Sequence, residues 1–411
     1  MKASISNQPK RSGSPAGAAQ KPERLYYLDW LRVLAILTVF IFHSTRFFDL
    51  EDWHVKNLAR YLEAQIWVGF AANWMMPLIF VISGASLFYA LDRGGAGRFF
   101  KDKVLRLLVP WLVGVFTAST LQVYLERRTH GQFFGSYFEF LPQYFDGIYT
   151  DVGLPGNFAW GGMHLWYLWV LFLFILISYP LLRWLKGPGR GLLDRLGNLL
   201  SYPGAAYLLA LPVLVVEALT SGTPLGEIDP GGWDLPLYLP FFLSGFVLIS
   251  SPRLLERTRQ WRWFYLATGA LLLASFLLPV FGIGPSGLLA VWEDIDQFIA
   301  TLSAWSWILA FFGLGMRYLN FTSPALKYAN EAVLPFYVLH QTVLLAVGYF
   351  VVQWQIPDLA KWEAIVLISF ALIMALYEYL VRRNNLLRVL FGMKPLPASQ
   401  VQEVQPALQV R

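Results

Sequence analysis

Long apolar runs dominate this sequence. A helix needs about 20 predominantly apolar residues to cross the hydrocarbon core of a bilayer, and runs of that length recur along the 411-residue chain. Ten such runs lie near residues 28–48, 66–91, 104–126, 164–185, 202–220, 235–250, 262–282, 293–318, 330–353 and 361–382. Because the bilayer core contains no water, each run must satisfy its backbone hydrogen bonds internally, as a helix does. The sequence therefore predicts an all-α integral membrane protein with about ten transmembrane helices.

The composition supports this fold class and excludes others. Hydrophobic residues make up 56% of the chain and charged residues only 14%, whereas a soluble domain carries about 25% charged residues. A disordered chain is excluded by this hydrophobicity, and an ordinary soluble enzyme is disfavoured. The sequence contains no cysteine, which rules out disulfides, thiolate metal sites and an acyl thioester on the protein.

Both ends of the chain are polar. Residues 1–24 are rich in Ser, Gly, Ala, Pro, Lys and Arg, and they lack the apolar segment of a cleavable signal peptide. We expect residues 1–24 and 395–411 to be disordered cytoplasmic tails. The predicted helices then form one transmembrane domain over residues 25–394.

The positions of the basic residues test the number of spans. With ten spans and a cytoplasmic N-terminus, 25 of the 32 Lys and Arg residues are cytoplasmic, 6 are outside, and Arg32 alone lies within a span. Positive charge retained in the cytoplasm is the main sequence rule of orientation. Both termini are therefore predicted to be cytoplasmic. The concentration of Lys and Arg on the cytoplasmic side explains the net charge of +6. We therefore expect the bilayer to be a partner and expect no binding of nucleic acid.

The first span carries three ionisable residues, Asp29, Arg32 and His43. Such residues are costly inside a membrane and indicate a functional site by default. The eleven-residue step between Arg32 and His43 turns a helix by about 1,100°, which places them on one face about 16 Å apart. Asp29 is one turn from Arg32 and can pair with it. The alternative is that Arg32 only reaches lipid phosphates while His43 is a hydrogen-bonded interior residue.

Several short motifs occur in a fixed order along the chain. They are RLYYLDWLR at 24–32, FHS at 42–44, MPLIFVISG at 76–84, KVLRLLVP at 103–110, HLWYLW at 164–169, and Asn330-Glu331 followed by FYVLHQ at 336–341. Together they make residues 25–382 resemble the membrane-bound acyltransferase family 3. The resemblance implies a multi-pass protein of the cell (inner) membrane. It also implies transfer of an acyl group from cytoplasmic acyl-CoA to a carbohydrate hydroxyl at the outer face.

The resemblance assigns roles to the first span, with His43 as the essential residue and Arg32 as its important partner. A sugar hydroxyl is a poor nucleophile until a base accepts its proton, and histidine is the usual base near neutral pH. Asp29 is predicted to support the pair by binding Arg32, and Glu331 is a candidate partner of Arg32 or of the CoA end. The sequence has no phosphate-binding loop, dinucleotide motif or zinc spacing. We therefore expect no metal and no permanently bound cofactor, with acyl-CoA as the donor substrate.

A basic cluster of Arg98, Lys101, Lys103 and Arg106 precedes the third span. On the cytoplasmic side such cations can hold the phosphates of CoA. Arg106 is the strongest candidate because it lies at the start of the span, and Arg32, Arg98 and Lys103 complete the predicted CoA site. The alternative is ordinary cytoplasmic positive charge.

Four residues are candidates for binding the acceptor carbohydrate: His164, Trp166, Tyr337 and His340. Aromatic rings suit the faces of sugars, and His164 and Trp166 lie at the predicted outer start of the fourth span. The alternatives are an interfacial aromatic belt for His164 and Trp166 and a packing hydrogen bond for His340.

The longest predicted outer loop, residues 127–163, is rich in Gly, Phe and Tyr. Long ordered loops are often functional, and we expect this one to line the cleft through which the acceptor reaches His43. His54 and His130 also fall in predicted outer loops and are expected to be solvated.

The residue pattern leaves the mechanism and one rival function open. Ser83 and Gly84 are predicted to allow close helix packing rather than to supply a nucleophile, while Val333 and Leu334 stand where the family often has Ser-Tyr. Direct transfer needs only a base, whereas a transient acyl-imidazole or acyl-serine is the alternative. Acetyl and succinyl both fit as acyl groups. The rival function is a membrane transporter or exporter of a glycan or lipid precursor, which is disfavoured because the chain has no internal repeat. No pattern defines an oligomeric state.

Overall fold

Helices form nearly all of the regular structure of this chain. The computed structural model describes residues 24–92, 94–280 and 288–397, without the side chains of residues 276, 278–280 and 288–296. Within these ranges there is no strand, and one isolated β-bridge joins Ile148 to Phe158. The predicted all-α class is confirmed. The predicted tails lie almost wholly outside the described residues.

The described residues form sixteen α-helices. The first eight are α1 (Tyr26–Thr45), α2 (Leu62–Ala90), α3 (Ala96–Lys103), α4 (Val109–Phe116), α5 (Ala118–Thr129), α6 (Tyr137–Phe140), α7 (Trp166–Lys186) and α8 (Arg190–Leu200). The second eight are α9 (Leu211–Thr220), α10 (Tyr238–Ser250), α11 (Pro252–Gln260), α12 (Arg262–Val280), α13 (Leu288–Tyr318), α14 (Pro324–Val351), α15 (Asp358–Leu376) and α16 (Asn385–Leu390). Two π-helical turns, Val104–Leu108 and Tyr377–Val381, and the 3-10 turns Leu141–Phe145, Met163–Leu165, Ala205–Ala210 and Leu235–Leu237 connect or extend them.

Seven helical segments of the described chain are long and apolar enough to cross a membrane. They are Tyr26–Thr45, Leu62–Ala90, Ala96–Thr129, Met163–Lys186, Gln297–Tyr318, Pro324–Val351 and Asp358–Val381. Each overlaps one of the predicted runs, because length and apolar composition decide both. The protein is therefore a multi-pass membrane protein.

The other three predicted spans are less regular. Residues 202–220 form the apolar segment Ala205–Thr220, which is shorter than the 18 residues of a candidate span. Leu235–Ser250 is followed by Pro252–Gln260 at a bend of 99°, because a proline cannot continue the hydrogen-bond ladder of the preceding helix. α12 occupies the seventh run, and its last side chains lie outside the described set. The described residues thus give seven spans, or eight if the bent pair is one, and the predicted number of ten is not confirmed.

α1 lies at the centre of the helix packing, in contact with α2, α13, α14 and α15. Several of its faces are buried, as Tyr27, Ile36, Val39 and Phe40 show. A helix that is apolar on all sides is expected to be surrounded in this way. The ionisable side chains of α1 therefore meet neighbouring helices.

α2 and α10 approach each other at two glycines. A Cβ atom on Gly84 would lie 1.8 Å from the carbonyl oxygen of Phe242, and one on Gly245 would lie 2.0 Å from that of Val81. Small residues allow such close backbone contact in membrane helices. The predicted packing role of Gly84 is confirmed.

A buried charged pair at the end of α5 anchors the 127–163 loop. Glu126 accepts hydrogen bonds from the Gly153 backbone N–H at 3.0 Å and from the Tyr149 hydroxyl at 2.7 Å. Arg127 donates to the carbonyl oxygen of Gly156 at 2.7 Å. Buried charges are tolerated only when they are paired and hydrogen-bonded, and these contacts fix the loop against the bundle.

His54 differs from its prediction. It is only 5% exposed, and its Nδ1 lies 2.5 Å from the Glu126 carboxylate. A buried carboxylate requires partners, and the segment after α1 folds back over α5 to supply this one. The expectation that His54 is solvated is wrong, whereas His130 is partly exposed and faces Asp52 at 3.3 Å.

Candidate active site

His43, in the last turn of α1, faces a cavity of about 400 Å³. Its ring stacks on Trp53, with centroids 5.9 Å apart and planes inclined by 13°. Val39 and Phe42 line the same wall of the cavity, because residues three to four apart share a helix face. The cavity has the size of a small-molecule site, and both polar and apolar side chains line it.

Segments far apart in the sequence form the cavity. Its lining consists of Val39, Phe42, His43, Arg46, Glu51 and Trp53, then Val68, Gly69, Ala72, Met75 and Met76, and finally His164, Trp166, Asp229, Gly231, Gly232 and Tyr337. The 127–163 loop contributes none of these described lining residues. The expectation that this loop lines the cleft is wrong, because the segments 46–53 and 229–232 take that place.

Two consecutive glycines bring Asp229 to the cavity. Gly231 and Gly232 have φ angles of +76° and +89°, a region that other residues rarely adopt. A Cβ atom on Gly231 would lie 3.1 Å from Cγ of Met76, and one on Gly232 would lie 3.0 Å from Cβ of Ala72. The segment therefore presses against α2, which only glycine permits at these positions.

The polar groups of the cavity differ in their charge environment. Burial raises the pKa of Asp229 above its ordinary value, and the negative charges of Asp151 and Glu51 add to the effect. Burial acts in the same direction on Glu51, but hydrogen bonds from Gln65 and Arg46 outweigh it and lower the pKa of that carboxyl. In this cavity the negative charge of Glu51 is thus well paired, whereas that of Asp229 is poorly compensated.

Three histidines meet beside the cavity. The ring centroids of His43 and His340 are 5.2 Å apart, and those of His164 and His340 are 4.9 Å apart. They come from α1, from the 3-10 turn before α7, and from α14. The described residues contain no group of three or more His, Asp or Glu side chains arranged to hold a metal ion.

Hydrogen bonds fix the tautomer of His164. Its Nε2 lies 3.2 Å from the carbonyl oxygen of Val338, which can only accept, so Nε2 carries the proton. Its Nδ1 accepts from the side-chain amide of Gln122 at 3.2 Å. Both ring nitrogens are satisfied, and His164 has no lone pair left to act as a base.

His340 and His43 each have an unsatisfied nitrogen. His340 Nδ1 lies 2.6 Å from the carbonyl oxygen of Tyr337 and must donate to it. His340 Nε2 and His43 Nδ1 are buried and have no hydrogen-bond partner among the described residues. Buried polar atoms without partners are uncommon and call for an explanation.

Trp166 and Tyr337, two of the residues predicted to bind the acceptor, line the wall of the cavity. The Tyr337 hydroxyl donates to the backbone carbonyl oxygen of His164. This bond joins α14 to the turn before α7, so Tyr337 positions the histidine cluster as well as lining the cavity. His340, by contrast, lies behind His43 and is only 1% exposed.

Arg32 makes three contacts with three different segments. Its guanidinium donates to Ser86 Oγ at 2.8 Å, to Asp29 Oδ1 at 3.2 Å and to Asn330 Oδ1 at 3.4 Å. Asp29 also accepts from Arg24 at 2.9 Å. The predicted contact between Asp29 and Arg32 is present, and Arg32 is held inside the bundle rather than extended only toward lipid.

A row of hydroxyl-bearing side chains occupies the space between Arg32 and the histidines. Ser83, one turn from Ser86, lies 2.6 Å from the hydroxyl of Tyr167. The Tyr167 ring is 6.0 Å from that of Tyr337, which is 5.6 Å from that of His340. Ser83 therefore belongs to a polar contact network in addition to the packing seam at Gly84.

Glu331 faces away from Arg32. Its carboxylate pairs with Arg388 at 3.0 Å and with Arg382 at 3.7 Å. One helix residue turns the side-chain direction by about 100°, so Asn330 points to α1 while Glu331 points to the C-terminal segment. Of the two predicted roles of Glu331, the contact with Arg32 is not formed, because Asn330 takes that position. The role of Glu331 at the CoA end stays a prediction.

The basic cluster lies at the Arg32 end of the bundle. Arg98 and Arg106 are exposed, and the ammonium of Lys103 lies 5.3 Å from the Phe99 ring centroid. Arg106 belongs to the π-helical turn Val104–Leu108 and is near enough to Arg32 for their charges to interact. π-helical turns often occur at functional sites.

Three residues of the site were not predicted from the sequence. Trp53 stacks on His43, Gln122 hydrogen-bonds His164, and Asp229 enters the cavity. Gln122 carried a usable signal, since it is a polar residue within the third apolar run. The positions of Trp53 and Asp229 depend on loop folding, which periodicity does not describe.

Comparison with known proteins identifies relatives over almost the whole chain. The model of the acyltransferase 3 family, described as an acyltransferase domain, matches residues 25–378. Proteins named Glucans biosynthesis protein C from Salmonella schwarzengrund (strain CVM19633), Salmonella agona (strain SL483) and Salmonella dublin are each 24% identical to it over 390 residues. These alignments cover 90% of this chain and 95% of each relative. No solved structure matches the chain.

The family match spans α1 to α15 and covers all the motifs on which the resemblance was based except the first residue, Arg24. It thus covers both the histidine cluster and the Arg32 contacts. This chain belongs to the acyltransferase 3 family and is an O-acyltransferase.

Proposed function

We propose that this protein transfers an acetyl or succinyl group from acyl-CoA to a carbohydrate hydroxyl, with His43 as the general base. The observation that carries the proposal is the position of His43, whose imidazole lines a cavity with Trp53 and Asp229 in its wall. The name of the relatives favours a glucan as the acceptor.

The proposed orientation places the Arg32 end of the bundle in the cytoplasm and the His43 cavity on the outer side of the inner membrane. The distribution of Lys and Arg supports this orientation. Acyl-CoA is a cytoplasmic metabolite, so its phosphates would meet Arg32, Arg98, Lys103 and Arg106 first. CoA would bind as a substrate and leave after each turnover.

The donor would extend from the basic end toward His43. Guanidinium groups bind phosphate through charge-assisted hydrogen bonds, and the exposed Arg106 is placed for this role. The hydroxyl groups of Ser83 and Tyr167 supply polar contacts along the line that the pantetheine arm must follow. The thioester would then lie near His43.

The acceptor would enter from the cavity side. Trp53 and Trp166 offer flat apolar surfaces for a sugar ring, and the carboxylates of Glu51 and Asp229 can accept hydrogen bonds from sugar hydroxyls. Convergent polar groups beside aromatic surfaces are typical of small-ligand sites.

The proposed reaction is a direct transfer. The acceptor O–H gives its proton to a lone pair of His43 while its oxygen attacks the thioester carbonyl carbon. The C–S bond breaks, and the CoA thiolate takes the proton from the imidazolium. A hydroxyl and an acyl-CoA thus yield an ester and free CoA, and histidine returns to its neutral form.

Replacement of His43 tests the proposal. The protein in lipid nanodiscs, where both faces are accessible, is incubated with radiolabelled acetyl-CoA or succinyl-CoA and a glucose oligosaccharide. His43→Ala should reduce label transfer about 10³-fold, which is in the range measured for loss of a general base.

The matched control is His130→Ala, which removes a partly exposed histidine in a loop and should retain full transfer. Normal transfer by a folded His43→Ala variant would contradict the assignment. If the wild-type protein instead moves oligosaccharide across a vesicle membrane without acyl-CoA, the transporter function would replace the proposed one.

A further inference from the structure

The rings of His43 and His340 are in contact, and each ring has one buried nitrogen without a hydrogen-bond partner among the described residues. His43 Nδ1 and His340 Nε2 have no partner among the described residues, and their ring centroids are 5.2 Å apart. An N–H···N bond of about 3 Å between five-membered rings of about 1 Å radius needs centroids roughly 5 Å apart. The ring spacing is therefore that of a hydrogen-bonded pair whose two nitrogens are not yet aligned.

We propose that His340 is a positioning residue whose Nε2 accepts a hydrogen bond from His43 Nδ1–H and thereby fixes the tautomer of the base. The planes of the two rings are inclined by 38°. The torsion that turns an imidazole ring is broad and soft, so rotation of the His43 ring can form the bond while His340 keeps its bond to the Tyr337 carbonyl. This inference rests on the proposed function of His43 and adds a second residue to it.

The tautomer of His340 makes the direction of this bond unambiguous. Nδ1 of His340 faces the carbonyl oxygen of Tyr337 at 2.6 Å and must carry a proton. In a neutral ring the other nitrogen, Nε2, is then a bare acceptor. His43 must consequently donate from Nδ1, which leaves its Nε2 with a lone pair.

The other neighbours of His43 do not compete for its Nδ1 proton. His164 already uses both ring nitrogens, with Gln122 and with the Val338 carbonyl. Trp53 stacks face to face on His43 and offers no acceptor in the ring plane. His340, with ring centroids 5.2 Å apart, is closer to His43 than Trp53 is and has a free acceptor nitrogen.

The arrangement resembles the orienting logic of a catalytic triad, with a backbone carbonyl in the last position. The Tyr337 carbonyl fixes His340, and His340 fixes His43, whose remaining nitrogen can take a proton from the acceptor hydroxyl. An acceptor on the inner nitrogen holds the imidazole in the reactive tautomer and stabilises the imidazolium that forms. A base held in the wrong orientation loses a large part of its contribution to kcat, while substrate binding is unaffected.

The test compares three variants. His340→Phe keeps a ring and removes the acceptor, His340→Asn keeps a side-chain oxygen that can accept, and Gln341→Leu is the control for a buried polar group on the same helix. Thermal unfolding in nanodiscs confirms that each variant is folded. Acyl transfer is then measured for kcat and KM separately.

We expect His340→Phe to lower kcat by about 10²- to 10⁴-fold with KM for both substrates unchanged within about two-fold. His340→Asn should recover at least ten-fold of that loss, and Gln341→Leu should match the wild type. Equal kcat for His340→Phe and wild type would overturn the inference while leaving the role of His43 intact.

A second readout does not depend on the reaction. The chain has five histidines, and ¹⁵N-labelled histidine with His43→Gln as the assignment reference separates the His43 signals. The wild type should show His43 protonated on Nδ1 with Nε2 bare, and His340→Phe should lose that preference. An unchanged tautomer in folded His340→Phe would refute the inference, even if the proposed reaction failed for other reasons, whereas His340→Asn should keep the wild-type tautomer.

Discussion

Arg32 is held by groups from three segments, and that geometry decides what it can do. It donates to Ser86 on α2, to Asp29 on its own helix and to Asn330 on α14. A planar guanidinium can bind several acceptors at fixed angles, whereas an ammonium behaves as a point charge. Arg32 therefore both ties α1 to its neighbours and orients positive charge toward the basic cluster.

Replacement of Arg32 by lysine should lower kcat/KM for acyl-CoA about 10- to 100-fold, because a charge-assisted hydrogen bond contributes about 1.5–3 kcal/mol. Titration of acyl-CoA at saturating acceptor measures this change. The matched control is Arg24→Lys, which also contacts Asp29 but has a side chain that is 60% exposed and should behave as wild type. An unchanged kcat/KM in Arg32→Lys would show that the charge alone is sufficient.

Replacement of Asp229 is expected to weaken acceptor binding without lowering the stability of the protein. Its pKa is raised by burial, so the folded state binds a proton more readily than the unfolded state. Stability therefore falls as pH rises from the ordinary value of 3.8 through the raised value. At neutral pH the buried charge is a cost, which the neutral amide of Asp229→Asn removes.

We predict that Asp229→Asn raises KM for the carbohydrate acceptor about ten-fold, since a charge-assisted hydrogen bond is lost, while Tm at neutral pH is equal or higher. Acceptor titration and thermal unfolding check the two parts. A lower Tm together with unchanged KM would mean that Asp229 is structural.

At the scale of elements, the α2–α10 contact is the helix interface most sensitive to an increase in side-chain volume. Gly84 and Gly245 each face a backbone carbonyl of the other helix. Backbone atoms cannot rotate away as a side chain can, so an added methyl group must separate the helices. Because α2 also carries Ser86 and lines the cavity, this separation would reach the site.

Gly84→Ala should lower the free energy of unfolding by about 1–3 kcal/mol, the usual cost of overpacking a tight core. Thermal unfolding in nanodiscs measures the effect. Gly191→Ala is the control, because no atom lies within 4 Å of a Cβ at that position in α8 and alanine favours a helix. Equal unfolding temperatures for wild type and Gly84→Ala would contradict the close contact.

The helices themselves could be predicted from the sequence to different degrees. Long runs of apolar character, such as those in α2 and α7, identify spans because a membrane imposes the length. The run at 235–250 differs, since α10 ends at Ser250 and Pro252 starts α11 after a bend of 99°. The apolar composition of a run reflects its free energy of transfer into lipid, and it does not predict such a bend.

At the scale of the whole molecule, the number of spans determines where the termini lie. Ten or eight spans place both on the same side, whereas seven place them on opposite sides. The predicted cytoplasmic retention of 25 of the 32 Lys and Arg residues requires an even number.

Reporter fusions in a bacterial host test this topology. A fluorescent protein at the C-terminus and one at the N-terminus should both fluoresce, because both ends are predicted to be cytoplasmic. Alkaline phosphatase inserted after residue 151, in the loop anchored by Glu126, should be active because that loop is predicted to lie outside. A C-terminal fusion that is dark while the N-terminal one fluoresces would contradict the even count.

The sequence by itself determined the membrane class, the resemblance to an acyltransferase family, and the shared helix face of Arg32 and His43. The membrane class depends on composition, the resemblance on short sequence motifs, and the shared face on the 3.6-residue period of one helix, all of which are local. It also identified Asp29 as a contact of Arg32, because three residues along a helix bring side chains together.

Only the tertiary structure decided how the helices meet. It brought His164 and His340 to His43, turned Asn330 rather than Glu331 toward Arg32, and placed Trp53 and Asp229 at the cavity. Each of these contacts depends on the rotation of one helix against another or on the path of a loop. Those are set by packing between segments far apart in the chain, for which a single helix period provides no information.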